Sequence, residues 1–184
     1  MGRRLTGRLL VASPVMRDPN FDRTVVLMLE HTDEGGVGVV LNRPSHVQAA
    51  QILPDLDGRT VEPGTVHVGG PVQPEAAICL VRLVSPVSGP NWSHLFGKIG
   101  SVNLDRPLDE LGTASTGLRL FAGYSGWGAG QLETEIDAGG WMVVRRRDED
   151  AFSDRAAGLW SEVLRRQVPR LAILASFPDD PTMN

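Results

Sequence analysis

The chain has 184 residues, 41% of them hydrophobic and 22% charged, with a formal net charge of −4. The acidic balance, with a pI near 5.5, argues against a broad phosphate-binding face, because nucleic-acid affinity rests on clustered Lys and Arg. This length buries roughly two-thirds of the unfolded surface in one domain without covalent staples, so we expect one domain over 1–184, with a loosely ordered polar tail over 178–184.

The opening forty residues carry three apolar runs, Leu9–Ala12, Val25–Leu29 and Val37–Leu41. Arg3, Arg4 and Arg8 precede only the first, short run, too little for an export signal core. No run approaches the ~20 apolar residues of a membrane span. A cytoplasmic protein without membrane contact is expected. Gly7–Ala12 is predicted as a strand, followed by a turn at Asp18-Pro19-Asn20, where proline presets φ and the side chains accept backbone N–H groups. Thr24–Glu30 is nearly all apolar, as in a strand buried on both faces. The Gly35-Gly36 link joins it to Val37–Leu41 as a hairpin.

Ser45 is placed to cap a short helix over 47–53, closed at Pro54. Thr65–Val68 is a short strand that ends in Gly69-Gly70-Pro71, and Ala76–Val84 is another. The latter holds Cys79, the one cysteine, which excludes an internal disulfide and reads as a buried structural thiol. Residues 85–97 form a predicted loop around Trp92. Ile99–Leu104 is expected to be extended, and Leu118–Ala122 is a strand entering the glycine-rich stretch Gly123–Gly130. Gln131–Ala138 is predicted helical, with Leu132 and Ile136 on one face, and Trp141–Val144 a strand. Arg145-Arg146-Arg147 is neutralised by the adjoining Asp148-Glu149-Asp150. A long helix is predicted from Ser153 or Asp154 to Gln167, with Ala156, Leu159, Trp160, Val163 and Leu164 as its apolar stripe. From Pro169, helix and strand both remain open. Interspersed strands and helices without strict alternation indicate an α+β domain, its mixed sheet strongly curved or partly barrel-like and flanked by a few helices.

Four separated blocks resemble the AlgH/YqgE family of bacterial proteins. They are Asp18-Pro19-x-Phe21-x-x-Thr24-Val25 followed by His31; Gly38-Val39-Val40-Leu41-Asn42-Arg43-Pro44; Gly69-Gly70-Pro71-Val72; and Gly123-Tyr124-Ser125-Gly126-Trp127-Gly128-x-Gly130-Gln131-Leu132-Glu133-x-Glu135-Ile136. The resemblance spans nearly the whole chain and departs in the C-terminal third. It implies a compact mixed α/β domain in a bacterial cytosolic protein, and little chemistry. The family's name comes from a role proposed in transcriptional control of exopolysaccharide synthesis. Direct DNA binding does not follow for this chain, whose pI is acidic and which lacks a helix-turn-helix pair.

The polar groups suggest a cleft. Arg43 offers a planar fork of donors for a carboxylate or phosphate, and Asn42 adds an amide at a strand end; alternatively Asn42 caps a turn and Arg43 pairs with an acidic neighbour. Gly69 and Gly70 permit an anion nest or simply a tight turn. Tyr124 and Trp127 suit a cleft wall or the core. Gln131 and Glu135 share a helix face, whereas Glu133 points elsewhere, so no paired-carboxylate catalyst results. His31 follows a buried strand and would titrate near neutral pH, or serve as a hydrogen-bonded structural residue. The four histidines lack metal-ligand spacing; no metal, cofactor or catalytic residue is assigned. Gly123-x-Ser125 matches a nucleophile elbow only in part, since Trp127 is too bulky for its fifth position.

The expected function is therefore a non-catalytic binding or regulatory protein. His31, Asn42, Arg43, Gly69, Gly70, Tyr124, Trp127, Gln131 and Glu133 are its candidate ligand residues. The occupant would be a small anion or a protein tail, and the protein a monomer or weak homo-oligomer. The alternatives are a hydrolase using Ser125 with a histidine, and an interaction module docking a partner through the Trp92 loop.

Overall fold

The apolar runs of the first forty residues pair as antiparallel strands: β1 (Arg8–Ala12), β2 (Val25–Thr32) and β3 (Gly35–Val40). Leu10 stands opposite Val26, and Val26 opposite Val40. The computed structural model describes residues 4–177, so the tail expected over 178–184 lies outside the described residues. Seven more strands follow: β4 (Pro44–Gln48), β5 (Thr65–Val68), β6 (Val72–Leu83), β7 (Trp92–Phe96), β8 (Ile99–Val102), β9 (Ser115–Gly128) and β10 (Trp141–Arg145). Together they form one sheet in the order β10-β1-β2-β3-β9-β6-β8-β7, with β4 and β5 attached beside β9.

The sheet is mixed, because β5 runs parallel to β9 while the other pairings are antiparallel. It curls into a half-barrel. The bend has a covalent origin in β9, which pairs through Leu118–Ala122 with β6 and through Ser125–Gly128 with β3. Register shifts in β2–β3 and β6–β9 add local twist.

Strand alternation sends side chains to opposite faces. Val25 and Leu27 join a core closed by α3 (Leu159–Arg165). Val26 and Met28 enter a second core with Leu132 of α2 (Gln131–Asp137). This accounts for the uninterrupted apolar run of β2. A third core, with Cys79, Val81, Leu118 and Leu120, is covered by α1 (Ala49–Ile52) and a 3-10 segment over Leu108–Ala114. Cys79 is buried there, and burial pushes its thiol up to about 12. No helix among the described residues is long and apolar enough to cross a membrane.

Three local expectations are corrected. Ser45 does not cap the first helix: Pro44–Gln48 is extended, the Ser45 hydroxyl accepts the Val47 N–H, and helix begins only at Ala49. Residues 92–96, expected in a loop, form β7 against β8. Trp92 packs on the third core and donates from its indole to the Val87 carbonyl, 2.9 Å away. The long helix expected from Ser153 or Asp154 to Gln167 starts late: Ala156–Gly158 is a 3-10 turn and only Leu159–Arg165 is α-helical, although its apolar stripe is buried as expected. After Pro169 the chain is helical, as α4 (Pro169–Ala172).

Arg119 and His67 are the most deeply buried charged-type side chains among the described residues. Arg119 on β9 is 2% exposed and donates to the carbonyls of Ser153 (2.8 Å) and Glu62 (2.6 Å). Burial lowers its pKa to about 10. His67 on β5 is fully buried, edge-on to Phe121. Its Nδ1 lies 3.2 Å from the Thr65 carbonyl, so Nδ1 carries the hydrogen, and Nε2 has no partner. Burial, and secondarily the charge of Arg119, lower its pKa to about 4.

Candidate functional site

The chain leaves β3 through Leu41-Asn42-Arg43. The Asn42 amide bridges back to the start of β2: Oδ1 accepts the Val25 N–H and Nδ2 donates to the Arg23 carbonyl, each at 2.8 Å. Asn42 thus fixes the direction in which Arg43 emerges. One guanidinium nitrogen of Arg43 donates to the Asp22 carbonyl at 2.7 Å. The group faces a cleft of about 340 Å³ lined also by Pro19, Asn20, Val68, Gly70 and Pro71. No acidic side chain is among the lining residues, so the positive charge of Arg43 has no carboxylate partner there.

The floor of this cleft is tight because Gly69-Gly70 threads between β3 and β9. The Gly69 carbonyl accepts the Val40 N–H, and the Gly69 N–H donates to Ala122, both at 2.8 Å. A Cβ on Gly69 would stand 2.3 Å from the Gly123 carbonyl oxygen, and one on Gly70 2.3 Å from Tyr124 backbone atoms. Close backbone approach requires these glycines. The Gly69 N–H is engaged with protein and is not offered to an anion.

Trp127 and Gln131 belong to a second cleft of about 430 Å³, on the other side of the Asp18–Phe21 turn. Pro19 and Asn20 line the first cleft, Asp18 and Phe21 the second. Phe21 stacks on Trp127 with centroids 6.0 Å apart, and Trp141 meets both rings edge-on. Glu135, on the same helix face as Gln131, receives both indole N–H groups on one oxygen and the Gln131 amide on the other. Sequence reasoning placed Glu135 beside Gln131 but did not select it as a ligand residue. Phe21 and Trp141 stand far from Trp127 in the chain, and nothing local signals that they meet.

The remaining candidates sit apart from both clefts. His31, 8% exposed, has Nε2 3.2 Å from Glu133 Oε1, and its backbone N–H donates to the Thr6 hydroxyl. The other Glu133 oxygen is buried without a partner. Tyr124 is half-buried against the first core. Ser125 lies within β9, fully buried, and donates to the Gly69 carbonyl at 3.1 Å. It has neither the strand-to-helix turn nor a hydrogen-bonded imidazole that would activate a nucleophile. Among the described residues, no three His, Cys, Asp or Glu side chains group closely enough to hold a metal ion. A hollow of about 670 Å³ over the C-terminal segment is larger than either cleft. It mixes four arginines with five carboxylates, including the Arg166–Asp150 pair, so it selects no charge.

The family model described as AlgH-like matches residues 9–172. The chain belongs to that family. A UPF0301 protein of Streptomyces coelicolor is 48% identical to this AlgH-like chain over 184 residues, covering 98% of it and 95% of the relative. One from Thermobifida fusca is 41% identical over 192 residues, covering 98% and 96%. A crystal structure of a Corynebacterium diphtheriae protein superposes with a TM-score of 0.89 at 29% identity, covering 96% of this chain and 94% of that one. The solution structure of AlgH from Pseudomonas aeruginosa gives 0.64 at 30% identity, covering 83% of each. In this AlgH-like fold, the four blocks that carried the resemblance contribute walls to the two clefts flanking the Asp18–Phe21 turn.

Proposed function

We propose that this AlgH-like chain is a non-catalytic binding or regulatory protein that recognises an anionic group through Arg43. The observation that carries this reading is the Arg43 guanidinium beside a cleft with no carboxylate in its lining. An uncompensated, planar donor fork selects carboxylate or phosphate. Val68, 48% exposed, and three prolines supply an apolar wall for the rest of the ligand. A small anionic metabolite or the carboxyl end of a protein tail meets both demands. Asn42 orients Arg43, and Gly69-Gly70 shape the floor. The protein works in the cytosol, as the family resemblance implies, as a monomer or weak homo-oligomer, without cofactor and without direct DNA contact, in keeping with its acidic pI.

A thermal-shift screen with inorganic phosphate, nucleotides, small carboxylates and free-carboxyl peptides tests this. A concentration-dependent rise in Tm, lost in Arg43→Gln and retained in Arg155→Gln, supports it. Equal shifts in wild type and Arg43→Gln would refute it.

A further inference from the structure

The second cleft has the opposite chemistry. The Glu135 carboxylate is held by neutral donors: Trp127 Nε1 at 2.9 Å, Trp141 Nε1 at 2.8 Å and Gln131 Nε2 at 2.9 Å. No cation is paired with it among the described residues. Neutral donors orient a carboxylate and satisfy its lone pairs, yet leave its charge in place. That charge stands half-buried, where screening by water is reduced. Phe21, Trp127 and Trp141 line the same cleft as packed rings, the indoles 6% and 3% exposed and Phe21 half-buried, so Phe21 supplies the most accessible π surface for a positive charge. Asp18 adds a second negative charge at the rim, against the single positive charge of the exposed Arg17. Ser13, 6% exposed, lines the same cleft, and its Oγ has no hydrogen-bond partner. A buried hydroxyl without a partner is costly unless something supplies one. Met16 and Val15 complete an apolar approach.

We propose that this aromatic cleft binds an organic cation, a guanidinium or alkylammonium on an apolar stem, with Glu135 as its counter-ion. The charge would sit against Glu135 and the rings, a donor N–H would satisfy Ser13 Oγ, and the stem would lie along Met16. Arg17 is an internal competitor for the same carboxylate. The site is independent of Arg43, and its failure would leave the anion proposal untouched.

The four tryptophans provide a built-in readout. The indole N–H groups of Trp127 and Trp141 point at Glu135, whereas those of Trp92 and Trp160 donate to the Val87 and Ala12 carbonyls. In 15N–1H spectra of the full chain, titration with butylguanidinium or butylammonium should move the Trp127 and Trp141 indole resonances saturably and leave the other two in place. Neutral butylurea and anionic butyrate should not. Glu135→Gln should weaken binding about tenfold or more, Asp18→Asn should weaken it by a smaller factor, Arg17→Ala should tighten it, and Arg43→Gln should leave it unchanged. An acetylated, amidated Gly-Arg-Gly peptide separates the sources: tighter binding than butylguanidinium marks a basic side chain of a protein, equal binding a free amine or guanidine. Equal shifts with butylurea, or no selective movement of the two resonances with either cation, would overturn the proposal. Asp18→Asn, at an exposed rim position, keeps the charge requirement testable if Glu135→Gln unsettles the indoles. Unchanged affinity in it together with unchanged affinity in Arg17→Ala would also overturn the proposal.

Discussion

Replacing His67 by leucine should flatten the acid side of the stability profile. In the fold His67 is fully buried, and its pKa falls from 6.5 to about 4 through burial and then through Arg119. A depressed pKa means that the folded state refuses a proton the unfolded chain accepts. Its contribution is therefore complete above about pH 6.5, is lost as pH falls from there towards 4, and changes no further below that. At about pH 4.5 nearly every unfolded imidazole is protonated while most folded ones are neutral. The linked loss is on the order of 2–3 kcal/mol. Urea denaturation of wild type and His67→Leu at about pH 7.5 and about pH 4.5 isolates it, because the carboxylates titrate alike in both proteins. Leucine keeps the apolar contact with Phe121 and has no proton to gain. Wild type should lose on the order of 2–3 kcal/mol more than the variant between the two conditions. Equal losses, within about 0.5 kcal/mol, would show that His67 is protonated without penalty and that the buried neutral imidazole described above is wrong.

Gly70→Ala should destabilise severely, by roughly 3 kcal/mol or more, since its Cβ would enter Tyr124 backbone atoms at 2.3 Å; a normal urea midpoint would contradict the packing. Asn42→Ala removes the partners of the Val25 N–H and the Arg23 carbonyl and should cost on the order of 1–3 kcal/mol by the same assay. Cys79, with its thiol pushed up to about 12, should resist a thiol reagent in the native protein and react once it is unfolded; native labelling at the denatured rate would refute its burial.

The strands that the sequence revealed most clearly are those buried on both sides. β2 is apolar through Leu29, and in the core of β9 only Arg119 interrupts the apolar run, so periodicity and length were sufficient. Ser93 and His94 hid β7, because an edge strand with one solvated face resembles a polar loop in composition. Gly158 and the turn-prone residues before it explain why the apolar stripe of α3 was visible while the helix start was not: burial follows the stripe, whereas backbone conformation follows local propensity. Of the proposed ligand residues, Asn42, Arg43 and Gly70 were selected from separate segments and line one cleft. Trp127 and Gln131 were also selected, but the Asp18–Phe21 turn divides them from Arg43. That division depends on where Phe21 seats against Trp127 and Trp141, a long-range packing event that local pattern cannot register.

The pairing of β1 with β10, Arg8 opposite Arg145, has a consequence for biosynthesis. The amino-terminal hairpin emerges from the ribosome early, with Leu9, Val11, Val25 and Leu27 lacking the helix that covers them and with an open backbone edge on β1. Both are satisfied only when residues 141–164 have been made. Until then the nascent chain carries an unpaired strand edge and an uncovered apolar face, the two features that template self-association.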